Sequence, residues 1–191
     1  ALRRVLGGHV RQAGSLVAPD RLRFDFTHIE APSPDELRAV ERLVNEEVRL
    51  DLAVTTRETG YTEAIQEGAL SFFGDKYGEK VMVLEAGPRS VELCGGTHVS
   101  ALGDIGPLKI VAEGSIGSNI RRLEAVTGVA PIERLREAEA ALVAAAELVG
   151  VPVDDVLEGI QKRLAESKAL RSDLVAARRQ VALGQADDLV A

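Results

Sequence analysis

Hydrophobic and polar positions follow two different periods along the chain, and the period changes near Gly128. Before that residue, short segments alternate position by position, as half-buried strands do, and Leu22–Thr27 is the clearest of them. After it, apolar residues recur every three or four positions over residues 131–183, interrupted only at Gly150-Val151-Pro152. The pattern therefore predicts a mixed domain over residues 1–129 and a helical domain over residues 130–191.

The strongest helix signal lies inside the first domain. Ser33-Pro34-Asp35-Glu36 combines an N-cap, a proline at the first helical position and a capping box. An apolar stripe continues this helix to about residue 50, at Leu37, Val40, Leu43, Val44 and Val48.

Further alternating segments surround this helix. They predict strands over residues 54–59, 80–86, 89–94, 108–113 and 119–126, and a short helix over 62–70 that ends near Gly74. Because strands and helices do not alternate regularly, we predict an α+β fold with a largely antiparallel sheet and packed helices.

The first six residues have helical spacing and stop at Gly7-Gly8, a favourable C-terminal cap. They include no initiator methionine and no N-cap, and a helix this short is marginal on its own. We interpret them as the end of a longer helix, so that the sequence begins inside it.

The second domain predicts an antiparallel helical hairpin of coiled-coil type, with the second helix longer than the first by several turns. The longer helix needs another partner, either a second copy of the chain or a continuation of a longer protein. Mixed charges on its polar face argue against a membrane-surface helix. The predicted core positions are Leu135, Ala138, Leu142, Ala145 and Val149, then Val153, Val156, Ile160, Leu170, Leu174, Ala177 and Val181.

Composition restricts the functional classes. A single cysteine excludes an internal disulfide and fits a reducing compartment, and no apolar run is long enough for a membrane span, so we expect a cytoplasmic protein. A net charge of -7 and 3% aromatic residues argue against a protein that coats nucleic acid or stacks bases. Residues 1–23 nevertheless carry five arginines, which points to an anionic partner near this part.

The most informative segment is Glu92-Leu93-Cys94-Gly95-Gly96-Thr97-His98. A thiolate and an imidazole at this spacing can share one tetrahedral Zn²⁺, and the two glycines offer positive φ or close backbone approach. Two donors are only half of such a site. A buried cysteine beside an unrelated turn histidine stays an equal alternative on these residues alone.

Several motifs in order resemble the alanyl-tRNA synthetases. They are Gly14–Val17 before Leu22–His28, the run Ala69-Leu70-Ser71-Phe72-Phe73-Gly74-Asp75-Lys76-Tyr77-Gly78, the Glu92–His98 run, and Arg121-Arg122-Leu123-Glu124-Ala125-Val126-Thr127-Gly128. The resemblance covers residues 1 to about 129, and the helical hairpin occupies the position of that family's linker.

The resemblance implies an editing domain that hydrolyses tRNA(Ala) mischarged with serine or glycine, in a parent enzyme that ligates alanine to tRNA(Ala) with ATP. It implies zinc held by Cys94, His98 and a His-x-x-x-His pair that would precede Ala1. It also places Gln12 beside the substrate and Arg121 and Arg122 near the tRNA acceptor end. The ATP-dependent module is not in this sequence.

Ester hydrolysis needs an activated water and donors for the developing oxyanion, and the amides of Gly95 and Gly96 are available as donors. Gln12 could position water or the amino acid, or simply form a surface hydrogen bond. Discrimination of serine from alanine needs a polar partner for the hydroxyl, which Thr97 or the metal could supply.

The remaining histidines and the paired arginines have simpler alternatives. We expect His28 to be structural and His9 to lie at a helix end or face tRNA, although either could complete a four-ligand site with Cys94 and His98. Arg121 and Arg122 are adjacent on a strand and should face opposite sides, one pairing with the acidic helix and the other contacting phosphate.

Three hypotheses follow from the sequence. The chain is an editing part of a synthetase, a free-standing editing hydrolase of the same family, or an inactive structural module that dimerises through its helices.

Overall fold

The computed structural model describes residues 1–71 and 78–188, with side chains up to residue 180, and has an α+β architecture. The helices in these ranges are α1 (Leu2–Leu6), α2 (Pro34–Leu50), α3 (Tyr61–Gln66), α4 (Ala130–Val149) and α5 (Val156–Asp188). The strands are β1 (Gln12–Ala18), β2 (Arg21–Thr27), β3 (Val54–Gly60), β4 (Lys80–Ala86), β5 (Val91–Leu93), β6 (Lys109–Gly117) and β7 (Ile120–Val126).

The strands form two sheets rather than one. A four-stranded sheet has the order β1-β2-β7-β6, and a three-stranded sheet has the order β3-β4-β5. All neighbouring strands in both sheets are antiparallel, which confirms the predicted strand direction.

Strand β1 was missed by the sequence analysis because its glycine, serine and alanine residues give no clear alternation. It pairs with β2 from Gln12 to Ala18, with a register shift between Gln12 and Gly14. Its extended conformation therefore depends on the neighbouring strand. Strand β5 is shorter than the predicted 89–94, since Ser90 belongs to the turn that accepts a hydrogen bond from the Ala86 amide at 2.8 Å.

Helix α2 begins with the predicted capping box. The Glu36 amide donates to the Ser33 hydroxyl at 3.2 Å, and the Ser33 amide donates to the Glu36 carboxylate at 2.7 Å. These hydrogen bonds from Ser33 lower the pKa of the Glu36 carboxyl. Val40 and Val48 are the buried residues of the helix.

Helix α3 ends at Gln66, so the prediction of a helix through Leu70 was wrong. Gly68 has a φ of 91°, which ends the helix, and the Leu70 amide then donates to the Val91 carbonyl at 2.9 Å. The predicted end near Gly74 lies outside the described residues, as do positions 72–77 of the family motif.

Each sheet has its own apolar cluster. Phe26 and Leu123 pack with Val10, and Leu2 and Leu6 of α1 pack against this cluster. Helix α1 ends at Gly7 with a φ of 112°, as the Gly7-Gly8 cap predicts. The second cluster lies between α3 and the three-stranded sheet and comprises Ala64, Ala69, Val81, Val83 and Leu93.

Two compact units are distinguished, one of residues 1–133 and one from residue 134 onward. In the second unit the helical break occurs as predicted, with Gly150 at a φ of 77° before α5. Val149 and Val151 pack on Gly159, where a Cβ would lie 2.6 Å from Val149.

The predicted coiled-coil pairing along α4 and α5 is not confirmed. Leu135 and Leu142 of α4 are 55% and 44% exposed, and Leu170 and Leu174 of α5 are 68% and 51% exposed. Among the α5 residues up to 180, the buried ones are Val156 and Gly159 in the first turns.

No helix in residues 1–71 or 78–188 is both long and apolar enough to cross a membrane.

Candidate functional site

The Cys94–His98 turn brings its two metal-binding side chains together. Strand β5 ends at the buried Leu93, and the Cys94 amide continues the pairing by donating to the Met82 carbonyl at 3.0 Å. The His98 Nε2 lies 3.2 Å from the Cys94 Sγ. Tetrahedral zinc with bonds of about 2.3 Å to sulfur and about 2.0 Å to nitrogen places these atoms about 3.5 Å apart. The donor types and their separation therefore fit one shared ion.

Gly96 lies next to both donors, and a Cβ at this position would make ordinary van der Waals contact with them. Neither Gly95 nor Gly96 has a positive φ, so that part of the sequence interpretation was wrong. A Cβ at Gly96 would lie 3.6 Å from His98 Nε2 and 3.7 Å from Cys94 Sγ. A larger residue would therefore extend over both donors.

The described residues contain only half of a zinc site. No group of three or more His, Cys, Asp or Glu side chains that could hold a metal occurs in residues 1–71 and 78–188. The alternative in which His9 or His28 joins Cys94 and His98 is thus not found in this part of the chain.

His9 and His28 contact each other instead. His9 Nε2 lies 2.8 Å from His28 Nδ1, and the ring centroids are 5.0 Å apart with planes inclined by 17°. Because the two nitrogens are much closer than the two ring centroids, the rings meet edge to edge. This is the geometry of a hydrogen bond in which one imidazole nitrogen donates and the other accepts. The His28 amide also donates to the Asn119 carbonyl at 3.0 Å, which agrees with a structural role for this residue.

Glu92 is a neighbour of the turn that the sequence analysis did not single out as a functional residue. Burial raises the pKa of the Glu92 carboxyl, and the nearby charges of His98 and the Ala1 ammonium oppose this shift. Glu92 is therefore within electrostatic range of both His98 and the start of α1. The alternation Val91-Glu92-Leu93 could have indicated this position from the sequence. Val91 and Leu93 pack in the apolar cluster, so Glu92 between them points to the other face of the strand.

The three predicted catalytic residues occupy two different places. Gly95 and Thr97 are exposed on the turn. Gln12 begins β1 in the four-stranded sheet, and its amide nitrogen donates to the Ser15 hydroxyl at 2.9 Å. The surface hydrogen bond considered from the sequence is thus the contact that Gln12 makes here.

Arg121 and Arg122 each form a two-bond pair with a carboxylate on a neighbouring strand. Arg121 contacts Glu113 of β6 at 2.6 and 2.7 Å, and Arg122 contacts Asp25 of β2 at 2.7 and 2.8 Å. These hydrogen bonds raise the pKa of both guanidinium groups. The partner of Arg121 lies on β6 and not on the acidic helix, so that part of the interpretation was wrong.

A shallow pocket of about 280 Å³ adjoins the Cys94–His98 turn. Its lining residues are Val54, Thr56, Gly96, His98, Val99 and Ser100. Because His98 belongs both to the candidate metal site and to the pocket wall, a ligand in the pocket would lie beside the metal. The sequence analysis did not identify Thr56 and Ser100 as pocket residues. Thr56 lies some forty positions before the motif, so no local pattern connects the two.

A part of the chain that contains the Cys94–His98 turn matches a known family of domains. Residues 81–124 match the family model described as the threonyl and alanyl tRNA synthetase second additional domain. This range includes β4, β5, the Cys94–His98 turn and most of the β6–β7 pair.

The curated proteins that are similar to the chain are alanine–tRNA ligases. The alanine–tRNA ligase of Stenotrophomonas maltophilia (strain K279a) is 49% identical over 189 residues, which is 99% of this chain and 21% of that protein. The alanine–tRNA ligases of Xanthomonas oryzae pv. oryzae (strain PXO99A) and Xanthomonas campestris pv. campestris (strain 8004) are 46% identical over the same shares. The chain is thus homologous to a segment of the alanine–tRNA ligases, about a fifth of their length, which confirms the resemblance seen in its motifs.

Proposed function

We propose that this segment edits mischarged tRNA, hydrolysing the ester that joins serine or glycine to the acceptor end of tRNA(Ala). The observation that carries the proposal is the 3.2 Å approach of Cys94 and His98 beside a polar pocket, in a chain homologous to alanine–tRNA ligases. Charging of tRNA(Ala) with alanine and ATP would belong to the longer protein, and we expect both to act in the cytoplasm.

In this proposal Cys94 and His98 hold a zinc ion together with a His-x-x-x-His pair that precedes Ala1 in a longer chain. A zinc ion in such a site lowers the pKa of a bound water or orients a polar group of the substrate. The proximity of the α1 start to Glu92 supports this arrangement, because residues just before Ala1 would lie near the strand that leads into the turn.

The residues of the chain itself would then align the ester. The exposed Gly95 and Gly96 amides are suited to donate to the carbonyl oxygen as it becomes negative. Gln12 would position water or the amino acid, which requires it to exchange the Ser15 hydroxyl for a substrate group. Thr97 would contact the substrate from the exposed side of the turn.

Arg121 and Arg122 are adjacent on β7 and face opposite sides of the sheet, so one of the two would contact a phosphate of the acceptor end while keeping its carboxylate partner. Each uses Nε and Nη2 in its pair, so the Nη1 hydrogens are available as donors. Phosphate contact therefore does not require either ion pair to break.

The test combines metal content with hydrolysis. We expect near-stoichiometric zinc and release of serine from seryl-tRNA(Ala) when the chain is prepared with the preceding helix restored. A Cys94→Ala variant should lose both zinc and hydrolysis, because a tetrahedral site loses its sulfur ligand. Elemental analysis and a deacylation assay measure the two quantities on the same samples.

A His9→Ala variant is the matched control, since His9 pairs with His28 and not with the turn. It should retain zinc. If the extended protein carries zinc and still leaves seryl-tRNA(Ala) intact, the segment is a structural module. If the longer parent does not charge tRNA(Ala) with alanine, the free-standing hydrolase is the better assignment.

A further inference from the structure

The pocket beside His98 is formed by two separate parts of the chain. Val54 and Thr56 come from β3, and the remaining lining residues belong to the turn that follows β5. The two parts are joined by the Val54 amide, which donates to the Ser100 carbonyl at 2.9 Å, and by the Ala53–Ala101 bridge. The pocket wall is thus tied by backbone hydrogen bonds and does not depend on a flexible side chain.

The strand register fixes which residues of β3 face this pocket. Val54 and Thr56 line it, whereas Thr55 between them lies on the other face of the strand. Thr56 is opposite Leu84, and Leu84 is opposite Glu92, so Thr56 and Glu92 are on the same face of the three-stranded sheet. That face continues into the Cys94–His98 turn.

The Thr56 hydroxyl has no hydrogen-bond partner among the side chains and backbone described for residues 1–71 and 78–180, and the same holds for the Ser100 hydroxyl. Two other threonine hydroxyls are engaged, since Thr27 donates to the His9 carbonyl and Thr59 donates to Glu63. The pocket therefore presents two hydroxyl groups, each able to donate and accept, next to a candidate metal ligand.

We propose that Thr56 determines specificity by hydrogen bonding to the side-chain hydroxyl of a seryl ester bound beside His98. The proposal rests on the proposed editing function and adds the residue that distinguishes serine from alanine. An alanyl group is smaller than a seryl group, so a pocket that admits serine cannot exclude alanine by size. Discrimination must then come from a hydroxyl partner, since a site that hydrogen bonds a substrate hydroxyl disfavours the analogue that lacks it.

Thr56 is better placed for this role than Thr97, the residue considered from the sequence. Both threonines are exposed, but Thr97 is not part of the pocket lining, whereas Thr56 lines the pocket from strand β3, which is paired with β4 along its length. A hydroxyl on a strand has a fixed position, which a selective hydrogen bond requires.

The test uses the zinc-loaded chain with the preceding helix restored, and two non-hydrolysable probes, 3′-(L-serylamino)-3′-deoxyadenosine and its L-alanyl counterpart. We expect Thr56→Val, which replaces the hydroxyl by a methyl group, to weaken binding of the seryl probe about tenfold, the equivalent of one hydrogen bond. Binding of the alanyl probe should be unchanged. Isothermal titration calorimetry measures both affinities.

Thr55→Val is the matched control, because it makes the same change one position away on the opposite face. It should leave both affinities unchanged, and Thr56→Ser, which keeps the hydroxyl, should retain the preference for the seryl probe. Thermal melting verifies that the variants are folded.

The proposal is overturned if Thr56→Val leaves seryl binding unchanged, if it weakens both probes equally, or if the unsubstituted chain binds neither. Its failure can be told apart from that of the editing function. Hydrolysis of seryl-tRNA(Ala) with an unaltered serine preference in Thr56→Val would reject Thr56 alone, whereas lack of hydrolysis by the zinc-loaded extended protein would reject editing.

Discussion

Asp25 is the buried carboxylate of the four-stranded sheet. It is 7% exposed and accepts two hydrogen bonds from Arg122, while the Arg23 guanidinium lies 3.8 Å away. Hydrogen bonding by Arg122 holds the pKa of the Asp25 carboxyl below its usual range, although burial opposes the shift. A charge buried in this way is costly unless its partner stays in place.

We expect Asp25→Asn to lower the free energy of unfolding by about 2 kcal/mol at pH 7, because it leaves Arg122 without its ion pair. Chemical denaturation measures the change. Asp20→Asn is the control, since Asp20 is exposed and its nearest pair, with Arg21, spans 3.8 Å. Equal effects of the two substitutions would contradict the importance of the buried pair.

The same pair predicts a pH dependence. Because the folded-state pKa of Asp25 is lowered, its stabilisation is complete above the unfolded value of about 3.9 and is lost as the pH falls below it. The difference in stability between the wild-type chain and Asp25→Asn should therefore shrink between pH 4 and more acidic conditions. Denaturation curves at several pH values test this, and a difference that grows on acidification would refute it.

At the scale of elements, side chains of α2 hold the beginning of β6. Asn45 donates to the Leu108 carbonyl at 2.8 Å and accepts from the Leu108 amide at 2.7 Å. Glu41 accepts from the Ile110 amide at 2.9 Å and from Lys109 at 3.0 Å. The helix thus satisfies backbone groups that have no strand partner at this sheet edge, and it positions the strand next to β7.

We expect Asn45→Ala to lower the free energy of unfolding by about 2 kcal/mol, because it leaves two partly buried backbone groups of Leu108 unpaired. Glu46→Ala is the neighbouring control, since Glu46 makes only a 3.5 Å pair with Arg42 on the helix surface. Denaturant titration of both variants measures the changes, and an effect of Asn45→Ala no larger than that of Glu46→Ala would show that the link is dispensable.

At the scale of the whole molecule, the second unit exposes a series of apolar residues along α5. The helix has 33 residues against 20 in α4, and its Leu164, Leu170 and Leu174 are largely exposed. We propose that a second copy of the chain covers these residues, which is one of the two partners that the sequence left open, the other being a continuation of a longer protein.

If so, sedimentation velocity should show a concentration-dependent shift towards twice the 20.4 kDa mass of the chain. Combined Leu170→Glu and Leu174→Glu substitutions should keep the chain monomeric, because charges would replace the apolar contact. Lys168→Glu, which changes a charge but no apolar residue of the helix, should not. A wild-type chain that is monomeric at all concentrations would remove the dimer proposal.

The predictability of the fold differed between elements for physical reasons. Helix α2 was predicted from its capping box and stripe, since both are local signals confirmed in place. Strand β1 was missed, because its pairing with β2 and not its own composition makes it extended. The helix predicted through Leu70 failed since Gly68 adopts a positive φ and the chain then pairs with β5.

The sequence by itself determined the donor pair of the candidate site. Cys94 and His98 stand four positions apart across two glycines, so a single turn brings them together whatever surrounds it. Only the tertiary structure decided what lies next to them: Thr56 and Ser100 in the pocket, Glu92 on the same sheet face, and carboxylate partners for Arg121 and Arg122. Those neighbours come from strands distant in sequence, and their proximity depends on strand register, which local patterns do not encode.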